Sequence, residues 1–327
     1  MPPKSNASKT AKKRQKDGKF LETLAPNNEN EFKANSSDVI IPVMGPTGVG
    51  KSTFINNVVG HRKVKVGDNL ESQTVELEPV VIQFGQQSGF SNPYESKDGR
   101  LVLVDTPGFD DTYVDDAEIL ERISVWLAKS YHKEAKLGGV IYLHDITQTR
   151  MLGTTRKNLD MFRKLIGKDA LRSVVLGTTK WALVTPDVGL GRQKQLEDQF
   201  WKEMIQAGSK IERIDSKDAP CKLVREVLLR LKNKKLADQF LTIQDELVNV
   251  HKFVPETEAG QTLKYSLEEI IEQQRKRAQR LREQTQESND PAVAQEFQQG
   301  MQTIANLLAT AKKLKVPLTK RLMRFFL

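Results

Sequence analysis

From Asp38 to about Gln206 the chain alternates short, unbroken apolar runs with segments in which apolar residues recur every three or four positions. Val39-Ile40-Ile41-Pro42-Val43-Met44, Leu101-Val102-Leu103-Val104, Gly139-Val140-Ile141-Tyr142-Leu143 and Ser173-Val174-Val175-Leu176-Gly177 have the length and composition of buried parallel strands. Residues 75–84 carry apolar side chains at 75, 77, 80, 81, 82 and 84 and predict a strand broken near Pro79. Helices are expected from Lys51 to Val59, from Asp116 to Lys129, around Asn158 to Ile166, and from about Arg192 to Gln206. The second of these places Ile119, Ile123, Trp126 and Leu127 on one face, and the fourth carries Leu196, Phe200, Trp201, Met204 and Ile205. Alternating strands and helices predict an α/β fold, a mostly parallel sheet covered by helices on both faces.

From Ala219 onward the pattern is helical. Leu236, Phe240, Ile243, Leu247, Val250 and Val254 form one narrow stripe. Leu263, Leu267, Ile270, Gln274, Ala278 and Leu281 form a second, and Phe297, Met301, Ile304, Leu308 and Ala311 a third, with Pro255 and Pro291 as breaks. Such stripes bury themselves against each other, against the sheet, or as a coiled coil against another chain. Residues 1–36 are rich in Lys, Ser, Asn and Pro and are expected to be disordered. The division is therefore a basic tail (1–36), an α/β domain (37–232) and a helical C-terminal region (233–327).

Charge sharpens this division. The net charge is +9, but residues 1–20 carry seven Lys and Arg against Asp17, and residues 311–327 carry six with no acid. Each end is +6, so the middle is −3. A broad nucleic-acid-binding face is not expected from a mildly acidic body. Ala11-Lys12-Lys13-Arg14-Gln15-Lys16 is a candidate polyanion or nuclear-import patch, with a solvated tail as the simpler reading. Cys221 is the single cysteine, which excludes an internal disulfide and suits a reducing compartment. No apolar run is long enough to span a bilayer, so a soluble, cytoplasmic protein is expected. His61, His132, His144 and His251 show no metal-ligand spacing, and no metal beyond magnesium is expected.

The chemistry centres on Gly45-Pro46-Thr47-Gly48-Val49-Gly50-Lys51-Ser52, followed by Thr53, which fits G-x-x-x-x-G-K-[ST] between a strand and a helix. Glycines let successive N–H groups turn inward onto phosphate oxygens, at a helix N-terminus that carries partial positive charge. Lys51 is placed to reach the β- and γ-phosphates, and Ser52 to ligate magnesium. Asp105-Thr106-Pro107-Gly108 ends an apolar strand 53 residues after Ser52. An Asp-x-x-Gly there holds magnesium through water with its Asp, while its Gly approaches the γ-phosphate. In the intervening loop Thr74, ahead of Ser72, is the candidate for the magnesium and γ-phosphate contact.

Gly45–Thr53, Ser72–Leu77 and Asp105-Thr106-Pro107-Gly108-Phe109-Asp110-Asp111 resemble the G domains of septin and AIG1 (immune-associated) GTPases. They are closer still to a set of fungal G-domain proteins, which Gly138–His144 and Asn158–Phe162 also resemble. Over about residues 37–232 the resemblance implies a Ras-like P-loop sheet domain binding GTP or GDP with Mg2+. It also implies association of copies through the nucleotide-binding face.

Two departures stand out. The guanine motif Asn/Thr-Lys-x-Asp is here Thr179-Lys180-Trp181-Ala182, so its acid is missing. Thr179 and Lys180 remain base-side candidates, and Trp181 either stacks on the base or a partner chain or is a core or interface aromatic. Asp187 is a spatial substitute to consider, and Arg213-Ile214-Asp215-Ser216 a candidate for the last base-contacting loop. The second departure is Phe109, where small GTPases place a water-orienting Gln; Asp110 and Asp111 are candidates for that task, or simply exposed acids. Lys51, Thr74 and Asp110 are thus the candidate catalytic groups, and slow hydrolysis is expected. A nucleotide switch or assembly domain is the leading expectation, against an ATP-using P-loop enzyme or a nucleotide-stabilised scaffold. The C-terminal helices are a candidate effector surface. Beyond Pro317, Leu318, Leu322, Phe325 and Phe326 share one helical face opposite Lys320, Arg321 and Arg324. That pattern suits either an anionic membrane contact through 311–327 or a terminal helix docked on the body.

Overall fold

The computed structural model describes the chain except residues 1–4, 25–31, 62, 65–76, 95–97, 110–112, 152, 233–238, 288–290 and 318–327. Thr74, Ser72, Asp110, Asp111 and the amphipathic face beyond Pro317 therefore lie outside the described residues.

Among the described residues seven strands form one sheet: β1 (Val39–Met44), β2 (Glu78–Gln83), β3 (Arg100–Asp105), β4 (Lys136–Leu137), β5 (Val140–Asp145), β6 (Val174–Thr179) and β7 (Lys210–Arg213). Their order is β2-β3-β1-β5-β6-β7, with β4 also pairing β1. All described pairings are parallel except β2 with β3. β1, β5 and β6 are buried along their whole length, which is why each opens on a continuous apolar run, with β5 and β6 ending in polar residues at His144-Asp145 and Thr178-Thr179. The predicted break at Pro79 does not occur. Pro79 stands opposite Val104 inside β2, an edge strand, where a missing backbone donor is tolerated.

Helices cover both faces. On one, α2 (Lys51–Val59) packs against α7 (Ala219–Arg230) over Phe54, Ile55, Val224 and Val227. On the other lie α3 (Tyr113–His132) and α4 (Gly153–Ile166). The expected helix 192–206 is divided into α5 (Pro186–Gln195), a π turn at Leu196–Phe200 and α6 (Lys202–Gln206). The π turn lets Leu196, Trp201 and Met204 all enter the core.

The C-terminal region packs onto the α3–α4 face. It comprises α8 (Thr242–Val248), α9 (Glu258–Glu287) and α10 (Pro291–Lys313). α9 and α10 form a hairpin braced by the Arg277–Glu296 ion pair, and α9 also lies along α4. The long helix expected over residues 236–254 shrinks to α8, leaving Phe240 and Val250 exposed, with Leu236 outside the described residues. In α10 the buried face is Ile304 and Leu307, with Met301 and Leu308 exposed. The predicted stripe holds at Ile304, and beyond it burial falls one residue earlier than expected, at Leu307 and Thr310.

The expectation of disorder over 1–36 is corrected for its middle part. Ser5–Leu24 is a helix, α1, packed on α3 and α8. Phe20 and Leu21 are buried, with the Phe20 ring against His251 and Phe253. Asp17 accepts a contact from the His251 ring nitrogen at 2.8 Å. Two apolar residues in a lysine-rich run sufficed because partners more than two hundred residues away complete the contact.

Candidate nucleotide-binding site

The site is built where β1, β3, β5 and β6 end. The loop leaving β1 turns through left-handed glycines at Gly48 (φ 74°) and Gly50 (φ 98°), conformations that side chains other than glycine rarely adopt. A Cβ at either would meet nothing within 4 Å, so the loop faces open space. Val49 is buried, Ser52 half-buried and Thr53 exposed. Gly50 caps α2 without a side-chain acceptor, leaving the first-turn N–H groups for another partner.

Lys51 is buried and folds back over the loop, donating to the carbonyls of Gly45 (3.0 Å) and Pro46 (2.9 Å). Ser52 Oγ donates to Asp105 Oδ2 at 2.6 Å. Asp105 Oδ1 and Thr47 Oγ1 are buried without a hydrogen-bond partner. Buried orphaned oxygens are costly, and here they sit at the phosphate loop and the end of β3, next to the uncapped start of α2. This donor set fits magnesium and a phosphate chain. Ser52 and Asp105 would hold the cation, which supplies charge neutralisation of the phosphates. Gly108 closes the arrangement: a Cβ there would lie 2.4–2.6 Å from Thr47 atoms, so only glycine lets the β3 end touch the loop. Thr106 Oγ1 donates to Val43 O at 2.8 Å and ties that turn to β1.

Burial pushes the Asp105 carboxyl up to about 6, against the Ser52 hydrogen bond and the Lys51 charge that pull it down. Its folded value thus exceeds the unfolded value of about 3.9, and the folded protein holds more protons between about pH 4 and 6. The contribution to stability is complete below about pH 4 and is lost as pH rises to about 6, by at most about 3 kcal/mol. Thermal melts of the nucleotide-free protein should show this slope, and Asp105→Asn should remove it. An equal slope in the variant contradicts the assignment.

On the base side, Thr179 Oγ1 lies 2.7 Å from Val49 O and 3.2 Å from His144 O, linking the loop to the ends of β5 and β6. Lys180 adopts a left-handed turn (φ 62°) and donates to Asp145 Oδ2 at 2.7 Å. Thr147 donates to Asp145 Oδ1 from its N (2.8 Å) and Oγ1 (2.7 Å). Burial pushes the Asp145 carboxyl up, but the Lys180 and Thr147 hydrogen bonds outweigh it and hold it below its ordinary value. The His144 ring is pushed down to about 4 by burial and sits edge-on to Trp201.

The stacking role considered for Trp181 is not supported. The ring is buried, donates through Nε1 to Thr178, packs on Gly189 and carries the Arg213 guanidinium 3.8 Å from its centre. It is a core aromatic, and Arg213 is engaged with it. Ala182 and Asp187 are exposed. Phe109 is buried, and its carbonyl accepts from Asn158 Nδ2 at 3.4 Å. The sequence reading missed Asp145. Its signal, an acid at the end of a buried strand, becomes specific only once β5 is seen beside β6.

Residues 40–180 match the family model described as 50S ribosome-binding GTPase. A curated relative, the small ribosomal subunit biogenesis GTPase RsgA of Clostridium acetobutylicum, is 34% identical over 91 residues. That match spans 28% of this chain and 28% of the relative. Among solved structures, Arabidopsis thaliana Toc33 in complex with Mg2+ and GMPPNP is 16% identical, covering 69% of this chain and 95% of its own, with a TM-score of 0.46. Aquifex aeolicus Era bound to GDP·AlF4− is 16% identical over 62% of this chain and 58% of its own, with a TM-score of 0.42. Among the described residues no helix is long and apolar enough to cross a membrane. The matched segment, with the phosphate loop and Asp105–Gly108 at the end of a mostly parallel sheet flanked by helices and continued by a helical C-terminal region, is thus similar to a GTPase-type G domain.

Proposed function

We propose that the protein is a magnesium-dependent GTP-binding switch or assembly domain that hydrolyses GTP slowly. The observation that carries this is the convergence of Lys51, Ser52, Asp105 and Gly108 on one glycine loop with orphaned acceptors inside it. Slow turnover follows from Phe109, a buried apolar side chain where a water-orienting group would stand. Thr74 and Asp110 remain proposed for magnesium contact and water orientation. Exposed Leu183, Val188 and Leu190, just past Lys180, support self-association through the nucleotide face. The finer likeness to septin and AIG1-type domains, an effector on the C-terminal helices, cytoplasmic location and an anionic membrane contact through 311–327 belong to the same proposal. Ala182, exposed and without a carboxylate, favours the second reading, a P-loop NTPase without guanine specificity.

Turnover measured against protein concentration tests the switch reading. Dilute protein should turn over GTP well below once per minute, with the rate per molecule rising as copies associate. Dilute protein turning over GTP roughly tens of times per minute contradicts it.

A further inference from the structure

We propose that Asp145 is the base-reading carboxylate of this site, occupying the role that position 182 leaves vacant. The proposal rests on the nucleotide-binding reading above. Asp145 ends β5 directly opposite Thr179, which ends β6. The Thr179 hydroxyl, within 2.7 Å of Val49 O, fixes both strand ends against the phosphate loop. Asp145 and Lys180 therefore stand beside the phosphate loop, where a nucleoside attached to bound phosphates would meet them. The left-handed turn at Lys180 brings its ammonium to Asp145 Oδ2. The Asp145 side chain is 6% exposed and that of Lys180 36%, so the carboxylate is lodged beneath a lysine that reaches solvent.

A carboxylate has about four lone-pair sites. The two Thr147 donors fill those of Oδ1, and Lys180 takes one on Oδ2. Among the described residues one acceptor site is left, on the oxygen beside Lys180. The ion pair keeps the group charged and acceptor-only. Guanine offers N–H donors at N1 and N2, whereas adenine presents a lone pair at N1, which this oxygen repels. One free site predicts a guanine preference smaller than a two-bonded carboxylate gives. Asp187 is exposed in the first turn of α5 and lacks this enclosure.

Asp145→Asn preserves size and an acceptor for Thr147 but turns the second oxygen into an N–H donor. Titrations of wild type and variant with GTP, ATP, XTP and tripolyphosphate, all with magnesium, separate the outcomes. GTP affinity should fall about tenfold, XTP affinity should rise because xanthine presents a carbonyl at C2, and ATP and tripolyphosphate should change less than about threefold. Asp145→Ala, which loses the acceptor without adding a donor, should weaken GTP without improving XTP. Should Asp145 serve only to hold Lys180 or the turn, either variant would weaken all nucleotides together or none, and the proposal is overturned. Unchanged tripolyphosphate binding verifies that the loop is folded. A wild type that binds neither GTP nor tripolyphosphate overturns the nucleotide-binding reading itself, and this proposal with it.

Discussion

Lys51→Ala is expected to lower affinity for nucleoside triphosphates about a hundredfold or more, since charge-assisted hydrogen bonds contribute about 1.5–3 kcal/mol each. The ammonium donates to the carbonyls of Gly45 and Pro46, which holds it over the loop that would receive the phosphates. It is buried at the loop and close enough to Asp105 for its charge to pull that carboxyl down, which places the cation where a phosphate chain and its magnesium would meet. The effect should be similar for GTP, ATP and tripolyphosphate, because Lys51 recognises phosphate and not base. Equilibrium titration measures it. Retained affinity within about threefold would undo the assignment of the loop.

Gly45→Ala should produce a large loss of stability. Gly45 has φ 139°, and a Cβ there would stand 2.3 Å from the carbonyl oxygen of Leu143. The obstacle is backbone in a buried central strand and cannot move aside as a flexible side chain would. Strain and overpacking together cost on the order of 3 kcal/mol or more. A fall in Tm of roughly 10 °C is expected for a domain of this size, together with loss of nucleotide binding. Gly48→Ala, where a Cβ meets open space, should lose less stability because only the positive φ resists it. Equal melting temperatures for the two variants would contradict the close approach of β1's end to β5.

The parts of this fold legible in sequence were those written locally. Buried parallel strands are continuous apolar runs, and the phosphate loop needs its glycines and Lys51 at fixed spacing. β7 was not legible, because Lys210–Arg213 has Ile211 as its single apolar residue and lies half-exposed at the sheet edge. α1 was misjudged because Phe20 finds His251 and Phe253 only in three dimensions. Trp181 carried no mark of its burial, which depends on Gly189 beneath it and Arg213 above it. The base side was the least legible part of the site. Lys180 and Asp145 are 35 residues apart and meet only because β5 and β6 are neighbours. The missing acid at position 182 was visible in the linear motif; the carboxylate of Asp145 beside Lys180 was not.

The central claim is a magnesium-triphosphate site with guanine preference. Its most direct test is an equilibrium titration of the nucleotide-free protein with GTP and ATP, each with and without magnesium. GTP should bind more tightly than ATP by about tenfold, and magnesium should strengthen triphosphate binding through Ser52 and Asp105. Equal affinity for GTP and ATP, or binding indifferent to magnesium, would contradict the account.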